Sequence, residues 1–262
     1  MSLLREYIRE TLRESRFKQM SKAKFTDLKQ ALSSSTFLDA DPEGDFDEDQ
    51  WSSEAATVLR DTLNDYFDSK FKPGEITAIV KVDMMPTESS KGYDSVLKGA
   101  TYYFEDGLHF IEVMLANIED GSTLRDMGRA EQKVYEVIMH ELLHMQQFLK
   151  FSRGNPTPES WDAFKDKYEK AGGAAGMGED YFFFDDPSGP SEMETFAFQM
   201  ANELVDALGK DSAVKALNAG NLDIDAIRDG SSSFRSIEKR SNTERPEMKT
   251  MLKRAKQYAK SM

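Results

Sequence analysis

The sequence predicts an α+β fold that is mostly helical, with a small mixed or antiparallel sheet. Three observations point that way. Apolar residues recur at helical spacing over long stretches, above all 124–150 and 191–208. Three shorter runs between residues 76 and 115 are apolar and rich in β-branched or aromatic residues. An Asp106-Gly107 pair separates two of those runs, as in a hairpin turn. At 262 residues and 39% hydrophobic content the chain can bury a core. It is expected to form a single domain over 1–262, with 1–70 a helical N-terminal subregion and 210–262 a helical C-terminal extension.

The elements follow in order. Leu3, Leu4, Tyr7, Ile8, Leu12 and Phe17 mark an amphipathic helix over 2–18, and a short second helix is expected near 23–31. A serine- and acid-rich loop then runs to about residue 50. Ser52 and Ser53 can cap a helix that carries Ala56, Val58, Leu59, Leu63, Tyr66 and Phe67 at helical spacing. Pro73-Gly74 makes a turn, and 76–85 reads as a strand stopped by Pro86. Further strands are expected at 99–104 and 108–115. Residues 124–150 give the strongest helical pattern, with Val134, Val137, Ile138, Leu142, Met145 and Phe148 in phase. A short helix at 158–169 precedes a glycine-rich stretch, an aromatic cluster from Tyr181 to Phe184, and a helix over about 191–208. Two or three short helices finish the chain.

Composition narrows the chemistry. The absence of cysteine excludes disulfides, thiolate nucleophiles and cysteine-ligated metals, so any metal site must use His, Asp or Glu. A net charge of −13 argues against non-specific nucleic-acid binding. No run reaches membrane-spanning length and the first residues do not read as a secretory signal. A cytoplasmic protein with no membrane or nucleic-acid partner is expected. The acidic block at 39–49 lacks the alternating ligands and central glycine of a calcium loop.

Two of the three histidines stand four apart in His140-Glu141-Leu142-Leu143-His144. On a helix, positions i and i+4 share a face, so both imidazoles can reach one metal ion, with Glu141 placed beside a water on it. A catalytic zinc takes three protein ligands and keeps one position open. His109 is a weak candidate for the third, because it lies in an expected strand. The helix after Pro190 offers Glu192 and Glu194. Its apolar face is Met193, Ala197, Met200, Ala201, Leu204, Val205 and Leu208, and Glu194 borders that face. Glu194 is therefore favoured, with Glu192 the alternative.

The His140–His144 motif resembles that of the zincin (HExxH) metallopeptidases of the glutamate-third-ligand type. Residues 190–197, PSEMETFA, resemble the second motif of compact peptidase-like proteins from bacteriophages and bacteria, and also the glutamate-containing helix of a family of small regulatory metallopeptidases, in which a small residue follows the glutamate by three positions as Ala197 follows Glu194. With their flanks these motifs cover about a quarter of the chain, from about 129 to 205 with gaps. The resemblance implies a zincin-like fold with its sheet packed on the motif helix. It implies Zn2+ as cofactor, held by His140, His144 and Glu194, and Glu141 as general base. The substrate would be a protein or peptide, bound along a strand at 99–104 or 108–115. The site would work in the cytoplasm, that of the host if the protein is phage-encoded. The longer HExxHxxGxxH pattern is absent and no histidine follows His144. A distal donor to the transition state would then be a tyrosine, Tyr181 first and Tyr135 second.

Overall fold

In the computed structural model, the residues described are 27–40, 44–47, 50–83, 97–116, 130–170, 191–218, 220–240 and 245–262. The expected helix at 2–18, the Tyr181–Phe184 cluster and the glycine-rich stretch after residue 170 lie outside them. The chain divides into two compact units, residues 1–101 with 108–138, and residues 102–107 with 139–262.

In the first unit, helix α1 covers 27–34. Strands β1 (Gly44–Asp47) and β2 (Gln50–Ser53) pair antiparallel, Gly44 opposite Ser53. This corrects the expectation of a loop up to about residue 50. The acid-rich composition masked the pairing, because Phe46 and Trp51 are the only bulky apolar residues in it. Helix α2 (Glu54–Lys70) starts as expected, with the Ser53 side chain accepting a hydrogen bond from the Ala56 N–H. Leu59, Leu63 and Phe67 bury one face of it.

Three longer strands follow, β3 (Ile76–Asp83), β4 (Leu97–Glu105) and β5 (Leu108–Ala116), in the order β3-β5-β4. β3 and β5 are parallel, Ile76 opposite His109. The two-residue turn from β4 to β5 has φ of 51° at Asp106 and 84° at Gly107. Positive φ at both central residues is the hairpin geometry that an Asp-Gly pair favours. A parallel pair beside a hairpin makes the sheet mixed. Alternate residues Ile76, Ala78, Val80 and Val82 on β3, and Ile111, Val113 and Leu115 on β5, are buried. The Asn64 side chain of α2 accepts from the Ala78 N–H (2.8 Å) and donates to its C=O (3.4 Å), so α2 covers the β3 edge.

The second unit contains Tyr102–Glu105 of β4 and the second half of helix α3 (Ala130–Phe151), from Met139 onward. Helix α4 (Pro158–Lys170) packs on that half of α3 through rings around Phe148, with centroids 5.1 Å from Trp161 and 5.5 Å from Phe164. Phe104 of β4 completes this core at 5.2 Å.

Helix α5 (Glu192–Leu208) lies at the centre of the remaining bundle. Four helices follow it, α6 (Lys210–Ala216), α7 (Ile224–Gly230), α8 (Ser232–Arg240) and α9 (Pro246–Ser261). Among the described residues that is four helices, where two or three were expected. Met193, Ala197, Met200, Ala201 and Leu204 of α5 are buried with Ile227, Phe234, Met251, Leu252 and Ala255 from those later helices. The apolar stripe of α5 is thus consumed by the C-terminal helices. Its polar stripe is left to turn elsewhere.

Candidate metal centre

His140 and His144 stand one turn apart on α3, and Ile138, Leu142, Met145 and Phe148 bury the helix around them. Their Nε2 atoms are 3.1 Å apart. The Glu192 carboxylate closes the group, one oxygen 3.3 Å from His140 Nε2 and the other 3.1 Å from His144 Nε2. The three residues form a group that can hold a metal ion. Donor atoms on a tetrahedron with bonds of about 2.0–2.1 Å stand about 3.3–3.4 Å apart, so this spacing fits one such ion. Two imidazole nitrogens and a carboxylate oxygen are also the donor types that suit zinc.

Glu192 is fully buried, at 0% exposure. Burial opposes its charge, yet His144 and His140 hold its carboxyl well below the usual carboxylate range. Burial likewise disfavours a charged His144, but the Glu192 carboxylate, aided by Glu141 and Gln147, pushes this imidazole up to about 9. Glu141 is buried on the same helix, and one of its oxygens accepts a hydrogen bond from the Tyr102 N–H of β4 at 2.7 Å. The ring of Phe196, one turn along α5 from Glu192, stands edge-on to His140 at 5.2 Å.

The favoured third residue, Glu194, is not brought to the histidines. Its carboxylate accepts a hydrogen bond from the Tyr258 hydroxyl of α9 at 2.8 Å. The alternative, Glu192, takes its place. The apolar face of α5 packs on the C-terminal helices. Glu194, at its border, consequently meets α9, while the stripe carrying Glu192 and Thr195 meets α3. Tyr135 is buried in the first unit, with the Lys29 ammonium 5.8 Å from its ring centroid. Tyr181 lies outside the described residues. His109 is buried in β5 and is not one of the three residues of the metal-holding group; burial lowers the pKa of its imidazole.

One residue that matters here escaped sequence reasoning. Gln147 lies three positions after His144, on the same face of α3, and is buried. Its Oε1 is 3.1 Å from His144 Nδ1 and accepts from the Ser191 N–H at 3.0 Å. Its Nε2 donates to the Ser191 C=O at 3.0 Å. Ser191 is the N-cap of α5, its side chain accepting from the Glu194 N–H, so Glu192 is the first residue of that helix. The i+3 spacing from His144 was the available signal; nothing local marked its partner 44 residues on.

Compared with protein families, curated proteins and solved structures, the chain matches none.

Proposed function

We propose that the chain is a zinc-dependent peptidase, a zincin-like protein with a glutamate as third ligand. The observation that carries this reading is the convergence of His140, His144 and Glu192 donor atoms within 4.8 Å, with Glu141 next to His140 on the same helix. Three protein donors leave a fourth position for substrate and water. A zinc ion there would supply Lewis-acid polarisation of the scissile carbonyl and of the attacking water.

The chain's own residues do the rest. Glu141, as a carboxylate, takes the proton of the attacking water and hands it to the departing amine. The outer strand of the sheet, β4, presents the Tyr102 N–H to Glu141, so an extended peptide laid along β4 would bring its backbone to the base. Among the described strands β5 is the central one, which favours 99–104 over 108–115 as the substrate strand. The substrate class is a protein or peptide.

The same Tyr102–Glu141 bond favours a second reading, a zincin-like binding protein without catalysis, because it engages the proposed base. Peptide-library cleavage by wild type and Glu141→Gln, with metal content measured on both, separates the two. A peptidase keeps its zinc in Glu141→Gln and loses about 10²–10⁴-fold in kcat/KM. Equal zinc in both proteins with cleavage by neither supports the binding protein and rejects the peptidase.

A further inference from the structure

We infer that Gln147 is a positioning residue that sets the donor nitrogen of His144 and the placement of Glu192 with one amide group; this rests on the metal-centre reading above. Ser191 presents both of its backbone groups to Gln147. Its N–H can only donate and its C=O can only accept. Gln147 meets both, through Oε1 and Nε2 at 3.0 Å each. Turning the amide over would face donor against donor and acceptor against acceptor, so the backbone fixes which end is oxygen. That oxygen is the atom 3.1 Å from His144 Nδ1. Nδ1 must therefore carry a proton to donate, and in the neutral ring the lone pair is left on Nε2, facing Glu192 and His140.

The second effect is on register. Ser191 caps α5, and Glu192 is the next residue. By gripping both backbone groups of the cap, and with its Nε2 also 3.4 Å from Thr195 Oγ1, Gln147 holds the first turn of α5 against α3. Glu192 is thereby carried to the histidines, and Glu194 faces away toward Tyr258. One side chain joins a ligand on α3 to a ligand on α5. It touches neither substrate nor reacting atoms, so its part is positional.

The test compares wild type, Gln147→Leu and Gln147→Glu by imidazole ¹⁵N–¹H spectra and by zinc titration. Gln147→Leu removes both halves of the grip; Gln147→Glu keeps the acceptor and loses the donor. Wild type and Gln147→Glu are expected to show a slowly exchanging His144 Nδ1–H proton, with or without zinc, and Gln147→Leu to lose it. Zinc affinity is expected to fall about 10–100-fold in Gln147→Leu and by less in Gln147→Glu. A folded Gln147→Leu that keeps both the Nδ1–H signal and wild-type affinity overturns the inference. If Gln147→Leu does not fold, Gln147→Glu decides, and loss of the Nδ1–H signal there overturns it. Wild type that fails to bind zinc overturns the metal reading instead, while the Nδ1–H signal in the metal-free protein still tests the role of Gln147.

Discussion

Glu192 and Glu194 sit two residues apart on one helix and meet opposite partners, a pair of imidazoles and a tyrosine hydroxyl. The difference lies in charge as well as geometry. Burial of Glu192 is offset because His144 shares its environment, and in the metal-free protein the pair holds a proton, with the imidazole raised to about 9. The sign of the pH dependence follows. A raised histidine stabilises the metal-free fold fully below its ordinary value of 6.5, and that contribution is lost as pH rises through about 9. Zinc requires the unprotonated Nε2, so uptake at pH 7.5 must expel a proton, and affinity weakens as pH falls. Calorimetric zinc titrations in two buffers of different ionisation enthalpy should report about one proton released per zinc. Heats that do not depend on the buffer would contradict the proton-sharing pair.

Among the elements, α5 explains both what could be read from the sequence and what could not. Its existence and its apolar stripe were legible from helical periodicity, as was α3, while Pro190, the Asp106-Gly107 pair and Ser53 marked the start of α5, the β4–β5 turn and the cap of α2. The motif on α3 likewise announced His140, Glu141 and His144. Periodicity names a buried face without saying what buries it. For α5 that face went to the C-terminal helices, and the polar stripe proved to be buried as well, through Glu192, Thr195 and Glu203. Glu203 shows the same logic away from the metal centre. Its carboxylate accepts from the Ser231, Ser232 and Ser233 hydroxyls and from the Ser233 N–H at the start of α8. Hydrogen bonds to a buried charge and a helix start are lost together in Glu203→Ala, which should cost about 2–3 kcal/mol. A lowered denaturant midpoint at unchanged slope would register this. An unchanged midpoint would show that the serine cluster does not depend on Glu203. The β1–β2 pair was illegible for a different reason, since an acid-rich segment with two bulky apolar residues carries no alternating pattern.

At the scale of the molecule, the two units divide the chain's properties. The sheet pairing of β3 with β5 belongs to the first unit, while all three donors of the metal centre and Glu141 belong to the second. No described helix is long and apolar enough to cross a membrane. The candidate donors come from positions 140, 144 and 192, so only the folded second unit brings them together, and the affinity of a metal bound there would report on that fold. The central claim is that Glu192, and not its neighbour Glu194, completes the site with the two histidines. Equilibrium dialysis against zinc, with metal analysis of wild type, Glu192→Ala and Glu194→Ala, tests it most directly. Wild type and Glu194→Ala should each retain about one zinc per chain, and Glu192→Ala should bind about 100-fold or more weakly. Zinc lost from Glu194→Ala but kept by Glu192→Ala, or not bound by wild type at all, would contradict the account.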